Sequence, residues 1–359
     1  MRRLGVLSGG GDCPGTNAVI ASIVKVAARL DYEIIGFEYG LEGLLSPVNC
    51  RTLTIEDAKG ISHLGGTILK TTNKGRFSSK AGQSGSKNID PKVLEEAKAN
   101  LDKLEVEGLI VIGGDGTLSA AIQLAELGVR IIGVPKTIDN DLGYTDVTFG
   151  FSSAVDVVVD ALDKIHTTAT SHERTFIVEC MGRNTGWIGL SAGLSGGANA
   201  ILLPEFDFSI DDLIEFMRRR RDDNHRSTVI AIAEGTRVND RLSYEESRTS
   251  GDEIRYTGAA ESLQDAILDK TQDEFDLRHV VLGHTQRGGA PNPTDRILSK
   301  RYGIAAIEVY DQGRQGEMVC LVNGSMRTCP IEEAANQVKQ VTQEVDEYYA
   351  ARRLGIFIH

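Results

Sequence analysis

Short apolar runs recur along the chain, and between them apolar residues return every three or four positions. Most of the short runs are continuously apolar rather than alternating, which is typical of parallel strands covered by helices on both faces. The runs that predict β-strands occupy residues 4–8, 33–38, 109–112, 131–134, 176–179, 200–203, 229–233, 279–282 and 318–322. The segments that predict helices include residues 16–30, 91–104, 119–127, 154–167 and 210–221. This alternation favours an α/β fold of doubly wound units with mainly parallel sheets.

The length of the chain and two polar segments refine this picture. With 359 residues the chain exceeds one ordinary domain, so two lobes are expected. Residues 70–88 are rich in Gly, Ser and Lys and predict a mobile loop near the functional site. Residues 239–258 are highly charged and predict an exposed insertion.

Two loops that combine glycines with carboxylates directly follow apolar runs. Residues 113–117 read Gly-Gly-Asp-Gly-Thr and follow the run at 109–112. Residues 135–141 read Pro-Lys-Thr-Ile-Asp-Asn-Asp and follow the run at 131–134. The carboxyl ends of parallel strands meet at one edge of a sheet, where such folds bind their ligands. Acids beside a glycine loop at that edge indicate magnesium and phosphate chemistry.

The spacing of Asp139 and Asp141 suggests a division of labour. On an extended strand end, side chains two residues apart point to the same side of the chain. One carboxylate can then accept a proton from an attacking hydroxyl while the other orients a metal ion. Asp115 is a further candidate magnesium ligand. An Asp-x-Asp pair by itself is more often a turn, and it is the companion loop at 113–117 that makes the functional interpretation strong.

A third glycine loop, residues 8–17, follows the first predicted strand and opens a helix. Its backbone N–H groups and the helix N-terminus form a potential anion site. Pro14 occupies the third glycine position of a dinucleotide fingerprint, and Thr16 with Asn17 replaces the Lys-Ser/Thr pair of a Walker A loop. Phosphate binding is favoured, with a tight strand-to-helix turn as the alternative.

Composition excludes several classes of function. The formal net charge of −12 disfavours nucleic-acid binding, which needs an excess of Lys and Arg. No apolar tract is long enough to span a membrane, and the N-terminus has no secretory h-region. The five cysteines are scattered and never spaced as C-x-x-C, which disfavours disulfide frameworks and zinc sites. A cytoplasmic location is expected.

The chain closely resembles the 6-phosphofructokinase family. Eight motifs stand in the family's order, at residues 8–17, 65–67, 113–117, 135–141, 181–183 with Gly186, 204–205, 233–235 and 282–289. The resemblance runs from the N-terminus to about Gly303. It implies two Rossmann-like lobes with the active site in the cleft between them. Residues 1–149 with 287–335 correspond to a donor (ATP/Mg) lobe, and residues 150–286 with 336–359 to a fructose 6-phosphate lobe.

The resemblance also implies an activity: magnesium-dependent transfer of a phosphoryl group to the 1-hydroxyl of fructose 6-phosphate, in glycolysis. It further implies a homo-oligomer, with a tetramer favoured and a dimer as the alternative, in which some arginines reach across a subunit interface. The rival interpretations are a binding subunit without catalysis and an NAD-binding oxidoreductase. Activity on sedoheptulose 7-phosphate stays open.

Individual roles follow from the same resemblance. Asp139 is implied as the general base, and its neighbour Thr137 as a residue that contacts the sugar. Arg183 is implied as the cation that stabilises the transferring phosphoryl group. Magnesium is implied at Asp115 and Asp141. The substrate-binding residues implied are Thr137, Asp139, Arg174, Met181, Gly182, Arg183, Glu234, Arg278, His284 and Arg287. The donor-binding residues implied are Gly10, Gly11 (also catalytic), Asn73, Lys74, Gly114, Asp115, Gly116 and Thr117. The alternatives are ion-paired surface arginines for Arg174 and Arg278 and a core histidine for His284.

Two positions bear on the phosphoryl donor. Gly116 stands where pyrophosphate-using members commonly carry an aspartate, and its lack of a side chain leaves room for the α-phosphate of a nucleotide. Lys136 is the residue common in pyrophosphate users. We favour ATP, with a pyrophosphate-dependent enzyme as the alternative. Asn73 replaces a donor-side arginine of bacterial ATP enzymes, and Lys74 or Arg76 is a candidate substitute.

Three positions bear on regulation. Ala21, Leu64 and His166 stand where bacterial members carry basic residues for anionic effectors. Little or no allostery through ADP or phosphoenolpyruvate is therefore expected.

Overall fold

The computed structural model describes residues 2–72, 74–77, 88–238, 241–242, 244–245, 255–256 and 258–359. The strands are β1 Arg2–Ser8, β2 Tyr32–Phe37, β3 Cys50–Leu53, β4 Val106–Gly113, β5 Arg130–Pro135, β6 Thr175–Cys180, β7 Ala200–Leu202, β8 Thr228–Ala233, β9 Arg237–Val238, β10 Arg241–Leu242, β11 Tyr244–Glu245, β12 Arg255–Tyr256, β13 Leu277–Val281, β14 Glu317–Val322 and β15 Ser325–Pro330.

Ten α-helices and three short 3₁₀ helices are described. The α-helices are α1 Thr16–Ala27, α2 Pro91–Lys103, α3 Asp115–Glu126, α4 Phe151–His172, α5 Trp187–Ser195, α6 Ile210–Asp222, α7 Ala259–Thr271, α8 Pro293–Asp311, α9 Ile331–Asn336 and α10 Asp346–Arg353. The 3₁₀ helices are Gly40–Leu44, Ile61–His63 and Gly283–Arg287.

The chain divides into two units, and each contains segments from distant parts of the sequence. The first comprises Met1–Ser153 and Arg287–Val338, and the second Ala154–Gln286 and Lys339–His359. We describe each unit by itself.

The first unit is built on a seven-stranded sheet in the order β15-β14-β5-β4-β1-β2-β3. Its five inner strands run parallel, and the edge strands β3 and β15 pair antiparallel. Each inner strand contains a continuous apolar run, as in Leu109-Ile110-Val111-Ile112, whose side chains are fully buried. Burial on both faces is what a parallel sheet covered by helices requires.

The second unit is built on a four-stranded parallel sheet in the order β13-β6-β8-β7. One core cluster packs Ile177 and Ile230 of this sheet against α6 and α7. The C-terminal segment returns to the edge of the sheet, where the Ile201 N–H donates to the Phe357 carbonyl over 2.8 Å.

The α/β prediction with mainly parallel sheets is confirmed, and each of the nine predicted runs overlaps a strand. The two antiparallel edge strands were not predicted, because β3 (Cys-Arg-Thr-Leu) and β15 (Ser-Met-Arg-Thr-Cys-Pro) are not apolar runs. Most of the segments at 70–88 and 239–258 lies outside the described residues, as does Asn73.

Candidate active site

The three motif loops of the first unit follow three neighbouring parallel strands. β1, β4 and β5 are adjacent in the sheet and end at Ser8, Gly113 and Pro135. The Gly9 N–H donates to the Ile112 carbonyl over 2.9 Å, and the Lys136 N–H donates to the Gly113 carbonyl over 2.9 Å. The loops are therefore tied to one another at the carboxyl edge of the sheet, where a ligand site is expected.

Two glycines at this edge are fixed by close packing against one side chain. A Cβ on Gly9 would lie 2.6 Å from Thr117 Cγ2, and a Cβ on Gly113 would lie 2.5 Å from Thr117 Cβ. No side chain fits at either position without displacing Thr117. This packing explains why glycine occupies position 9, directly after β1, and position 113, at the end of β4.

The ammonium of Lys136 points into the glycine loop at residues 8–17. The residue is only 4% exposed, and its Nζ donates to the Gly11 carbonyl. Burial lowers the pKa of Lys136, and the nearby Arg287 guanidinium lowers it further. The Arg287 guanidinium also occupies the space that a Cβ on Gly11 would need. Two cationic side chains thus flank the backbone of Gly11.

The loop at 113–117 is the beginning of a helix. Gly114 is the residue before α3, Asp115 is its first residue, and both Asp115 and Gly116 are exposed. The Asp115 carboxylate accepts a hydrogen bond from the Gly116 N–H over 2.7 Å. A helix N-terminus presents unsatisfied N–H groups and a partial positive charge, which suits phosphate oxygens.

The loop at 137–141 bends, whereas the sequence predicted an extended strand end. The strand ends at Pro135, and Asn140 adopts a left-handed conformation with φ +52°. The Thr137 hydroxyl accepts a hydrogen bond from the Asp139 N–H over 3.0 Å and also bonds the Asp141 carboxylate. The two acids therefore lie around one threonine side chain because of a turn, rather than because of strand alternation.

Three acids of this unit influence one another. The pKa of Asp141 is raised to about 7, first by burial and then by the charges of Asp139 and Asp115. Such a cluster of mutually repelling carboxylates is stabilised by a cation. Within the described ranges no group of three or more His, Cys, Asp or Glu side chains is arranged to hold a metal by itself. Magnesium is commonly bound by one or two carboxylates together with substrate phosphates, and the site fits that mode.

The second unit also gathers its motif residues at the carboxyl edge of its sheet. Met181, Gly182 and Arg183 follow β6, Glu234 follows the neighbouring β8, and His284 lies just after β13 on the other side. Met181 is buried, Arg183 and Glu234 are half-buried, and His284 is exposed.

Backbone hydrogen bonds join these three loops. The Glu234 N–H donates to the Cys180 carbonyl over 2.9 Å, and the Gly235 N–H donates to the Gly182 carbonyl over 3.0 Å. The buried Gln286 side chain accepts from the Met181 N–H over 3.1 Å. Gly182 has φ +143°, which favours glycine at this position. The three loops consequently form one rigid edge.

Glu205 anchors the far end of the Arg183 loop, a role that the sequence did not reveal. One carboxylate oxygen accepts hydrogen bonds from the Gly186 N–H over 2.9 Å and the Val341 N–H over 3.0 Å. Burial raises the pKa of Glu205. The motif at 204–205 marks Glu205, but it does not reveal this role, since Val341 is more than a hundred residues away.

Arg174 and Arg278 do not join the other predicted residues of this unit. Arg174 directly precedes β6 and Arg278 is the second residue of β13, so both lie where the strands begin. Asp276 pairs with both, over 2.6 Å in each case. A six-residue strand spans about 20 Å, so these arginines lie at the opposite end of the sheet from Met181 and His284.

The remaining predicted positions are not part of the strand-end loops described above. Lys74 is exposed, and Arg76 is paired with Glu96 over 2.7 Å. Of the three effector-site positions, Ala21 is buried and Leu64 is exposed. The His166 ring shares a hydrogen bond of 2.9 Å with the Gly196 carbonyl.

Comparison with known proteins identifies the family. The family model described as Phosphofructokinase matches residues 3–310. The chain is 45% identical over 355 residues to an ATP-dependent 6-phosphofructokinase of Chloroflexus aurantiacus, covering 99% of this chain and 97% of that protein. It is 40% identical over 346 residues to a pyrophosphate–fructose 6-phosphate 1-phosphotransferase of Amycolatopsis methanolica, covering 95% and 97%.

A solved structure agrees in fold. Phosphofructokinase from Saccharomyces cerevisiae superposes with a TM-score of 0.77 at 27% identity, covering 93% of this chain. This chain spans only 45% of the length of the yeast chain. No helix among the described residues is long and apolar enough to cross a membrane. Because the family model spans most of the chain and relatives match over nearly its whole length, the chain belongs to the phosphofructokinase family, whose members transfer phosphate to a sugar hydroxyl.

Proposed function

We propose that this protein is an ATP-dependent 6-phosphofructokinase, which converts fructose 6-phosphate to fructose 1,6-bisphosphate. The observation that carries the proposal is the meeting of Asp115, Asp139 and Asp141 beside a glycine loop at the carboxyl edge of one sheet. Relatives named as ATP-dependent enzymes match the chain over 99% of its length at up to 45% identity. Glycolysis and a cytoplasmic location follow from this activity as part of the proposal.

Asp139 acts as the general base for the 1-hydroxyl of the sugar. Its backbone N–H is held by the Thr137 hydroxyl, so the side chain is presented from a fixed point of the bend. A positioned base of this kind contributes about a hundredfold to ten-thousandfold in rate. Thr137, which also bonds Asp141, lies beside the reacting hydroxyl and orders both acids.

Asp115 and Asp141 would hold magnesium together with the phosphates of the donor. Burial raises the pKa of Asp141 first and the charges of Asp139 and Asp115 raise it further, so a divalent cation would stabilise the ionised acids. When bound, the ion supplies charge neutralisation on the β- and γ-phosphates. The chain's own part is to hold the two acids on neighbouring loops of one sheet edge.

The donor phosphates lie on backbone N–H groups. Gly10 and Gly11 of the first loop, and Gly114, Gly116 and Thr117 around the start of α3, provide these groups without bulky side chains. Lys74 and Asn73 are donor-side candidates on the segment that follows residues 65–67. Exposed Gly116 leaves room for a nucleotide.

Lys136 keeps a second candidate donor open. The relative from Amycolatopsis methanolica is named as a pyrophosphate enzyme, and Lys136 is the residue that the family resemblance associates with that donor. In this chain its ammonium is engaged by the Gly11 carbonyl. That hydrogen bond gives Lys136 a role in shaping the glycine loop, which is compatible with ATP.

The sugar phosphate is bound by residues of the second unit. Met181, Gly182, Glu234 and His284 surround the Arg183 loop, and Arg183 stabilises the charge of the transferring phosphoryl group. Arg174 and Arg278 lie at the other end of the sheet. They therefore serve the site of a neighbouring subunit in a homo-oligomer, proposed as a tetramer.

The direct test supplies fructose 6-phosphate and magnesium with ATP, ADP or pyrophosphate in parallel and measures fructose 1,6-bisphosphate. Turnover with ATP is expected. Turnover with pyrophosphate alone would establish the second candidate and make Lys136 decisive. No turnover with any donor would show that the protein is a binding subunit, and size-exclusion with light scattering gives the subunit count.

A further inference from the structure

The bend at 137–141 is held by two residues to which the proposed function gives no role. Asn140 lies between Asp139 and Asp141, is 5% exposed and has φ +52°. Thr148 is fully buried eleven residues after Thr137. Both residues belong to the first unit, and both side chains are buried.

Thr148 makes one hydrogen bond to each half of the bend. Its N–H donates to Asn140 Oδ1 over 3.1 Å, and its hydroxyl donates to the Thr137 carbonyl over 2.7 Å. The two contacts span the segment that carries Asp139. They hold the bend closed, because opening it would leave both acceptors without these donors in a buried place.

The segment that carries Thr148 is itself fixed. Phe149 forms an isolated parallel bridge with Lys136, at the start of the bend. A few residues on, the buried Asp295 accepts from the Ser153 N–H over 2.7 Å and from its hydroxyl over 2.6 Å. Thr148 is therefore a rigid support against which the bend is set.

We propose that Asn140 and Thr148 are positioning residues for phosphoryl transfer, forming a clamp that sets the spacing and direction of Asp139 and Asp141. The inference rests on the proposed function, since it needs those acids to act. Asn is one of the few non-glycine residues that adopt the left-handed conformation readily, and here its side chain also completes the clamp. Two like charges would otherwise move apart as the bend relaxed towards extended chain.

The first test compares Thr148→Val with Thr148→Ser. Valine fills the volume but removes the hydroxyl that reaches Thr137, whereas serine keeps it. A misplacement of about 1 Å costs about a hundredfold in rate. We expect kcat of the valine variant to fall roughly ten- to a hundredfold, with KM for fructose 6-phosphate within about twofold and most of kcat restored by serine.

Thr145→Val is the matched control. Thr145 is also a buried threonine of this segment, and its hydroxyl bonds Tyr302, Leu321 and the Val147 carbonyl. We expect a lower melting temperature with kcat unchanged. If Thr145→Val and Thr148→Val lose activity equally, or if Thr148→Val keeps full kcat, the clamp is refuted.

Asn140→Gly provides a variant that is expected to fold even if valine at 148 is not tolerated. Glycine adopts φ +52° freely but offers no acceptor to Thr148. We expect Asn140→Gly to lose about as much kcat as Thr148→Val. Because the two side chains form one clamp, the double variant should be less impaired than the product of the two single losses. Full kcat in Asn140→Gly would overturn the role of the side chain. Turnover of the unaltered protein is measured first, so a failure of the proposed function is seen separately from a failure of the clamp.

Discussion

The carboxyl edges of the two sheets share an architecture but differ in chemistry. In the first unit the loops after β1, β4 and β5 bring together acids and glycines, and burial with repulsion raises the pKa of Asp141 to about 7. In the second unit the loops after β6, β8 and β13 bring Met181, Arg183, Glu234 and His284 to one edge. Under the proposed function, similar strand arrangements serve metal binding and proton transfer in one unit and binding of an anionic sugar in the other. The loops, and not the sheets, make this difference.

The largest expected effect separates chemistry from binding at the first edge. Asp139→Asn keeps the shape of the side chain but removes the base, so kcat should fall about a hundredfold or more. Binding of fructose 6-phosphate, measured by calorimetry, should change little. Asp146→Asn, an exposed acid a few residues away, is the control and should retain activity. Unchanged turnover in Asp139→Asn would remove Asp139 from the mechanism.

The second edge should respond in the opposite way. His284→Ala removes the proposed hydrogen bond between the imidazole and the charged sugar phosphate. Such a hydrogen bond is worth about 1.5–3 kcal/mol. KM for fructose 6-phosphate should therefore rise roughly ten- to a hundredfold, with a smaller change in kcat. His279→Gln, on β13 five residues before His284, is the control. A fall in kcat at constant KM would show that the two edges are not divided as proposed.

A smaller effect tests the arginines at the other end of the second sheet. Arg278→Ala should raise KM up to about tenfold, because Arg174 still supplies positive charge. Mixing Arg278→Ala subunits with inactive Asp139→Asn subunits should then restore part of the activity. In a mixed oligomer, the Arg278→Ala subunit supplies Asp139 and the Asp139→Asn subunit supplies Arg278 to the same site. No recovery, with mixed oligomers verified by mass spectrometry, would place Arg278 in its own subunit's site or outside any site.

The smallest effect concerns stability and a carboxylate buried beneath the second edge. Burial raises the pKa of Glu179, although the Ala260 N–H donates to it over 2.8 Å. A raised folded pKa means that stability is fully present below the unfolded pKa of about 4.3 and is lost as pH rises through the folded value. Glu179→Gln should therefore reduce the decline of unfolding free energy above about pH 4, as measured by urea titration across pH. An identical pH slope in both proteins would contradict this.

The sequence predicts most of the fold because the inner strands are continuous apolar runs. The runs at 109–112 and 131–134 are fully buried in β4 and β5, so pattern and burial agree. The edge strands β3 and β15 have one solvated side and mixed composition, and they escape the same pattern. Motif loops that directly follow inner strands, such as the one carrying Asp115, could be placed from sequence alone.

What the sequence does not predict depends on contacts between distant segments. The left-handed conformation of Asn140 is stabilised by Thr148, and no local pattern distinguishes it from an extended strand end. The pairing of Arg174 and Arg278 through Asp276 likewise follows from the parallel register of β6 and β13. The family resemblance implies a role for both arginines, but only the register shows at which end of the strands they lie.

The return of the C-terminal segment to the second sheet has a consequence for synthesis on the ribosome. The Phe357 carbonyl and N–H pair with Ile201 and Asn199, and Val341 shares the Glu205 carboxylate with Gly186. The first unit likewise needs β14 and β15. Neither unit has all its strands or anchors until nearly the whole chain has been translated. The first unit therefore waits for residue 330 and the second for residue 357, so neither site can mature on the N-terminal half of the chain alone.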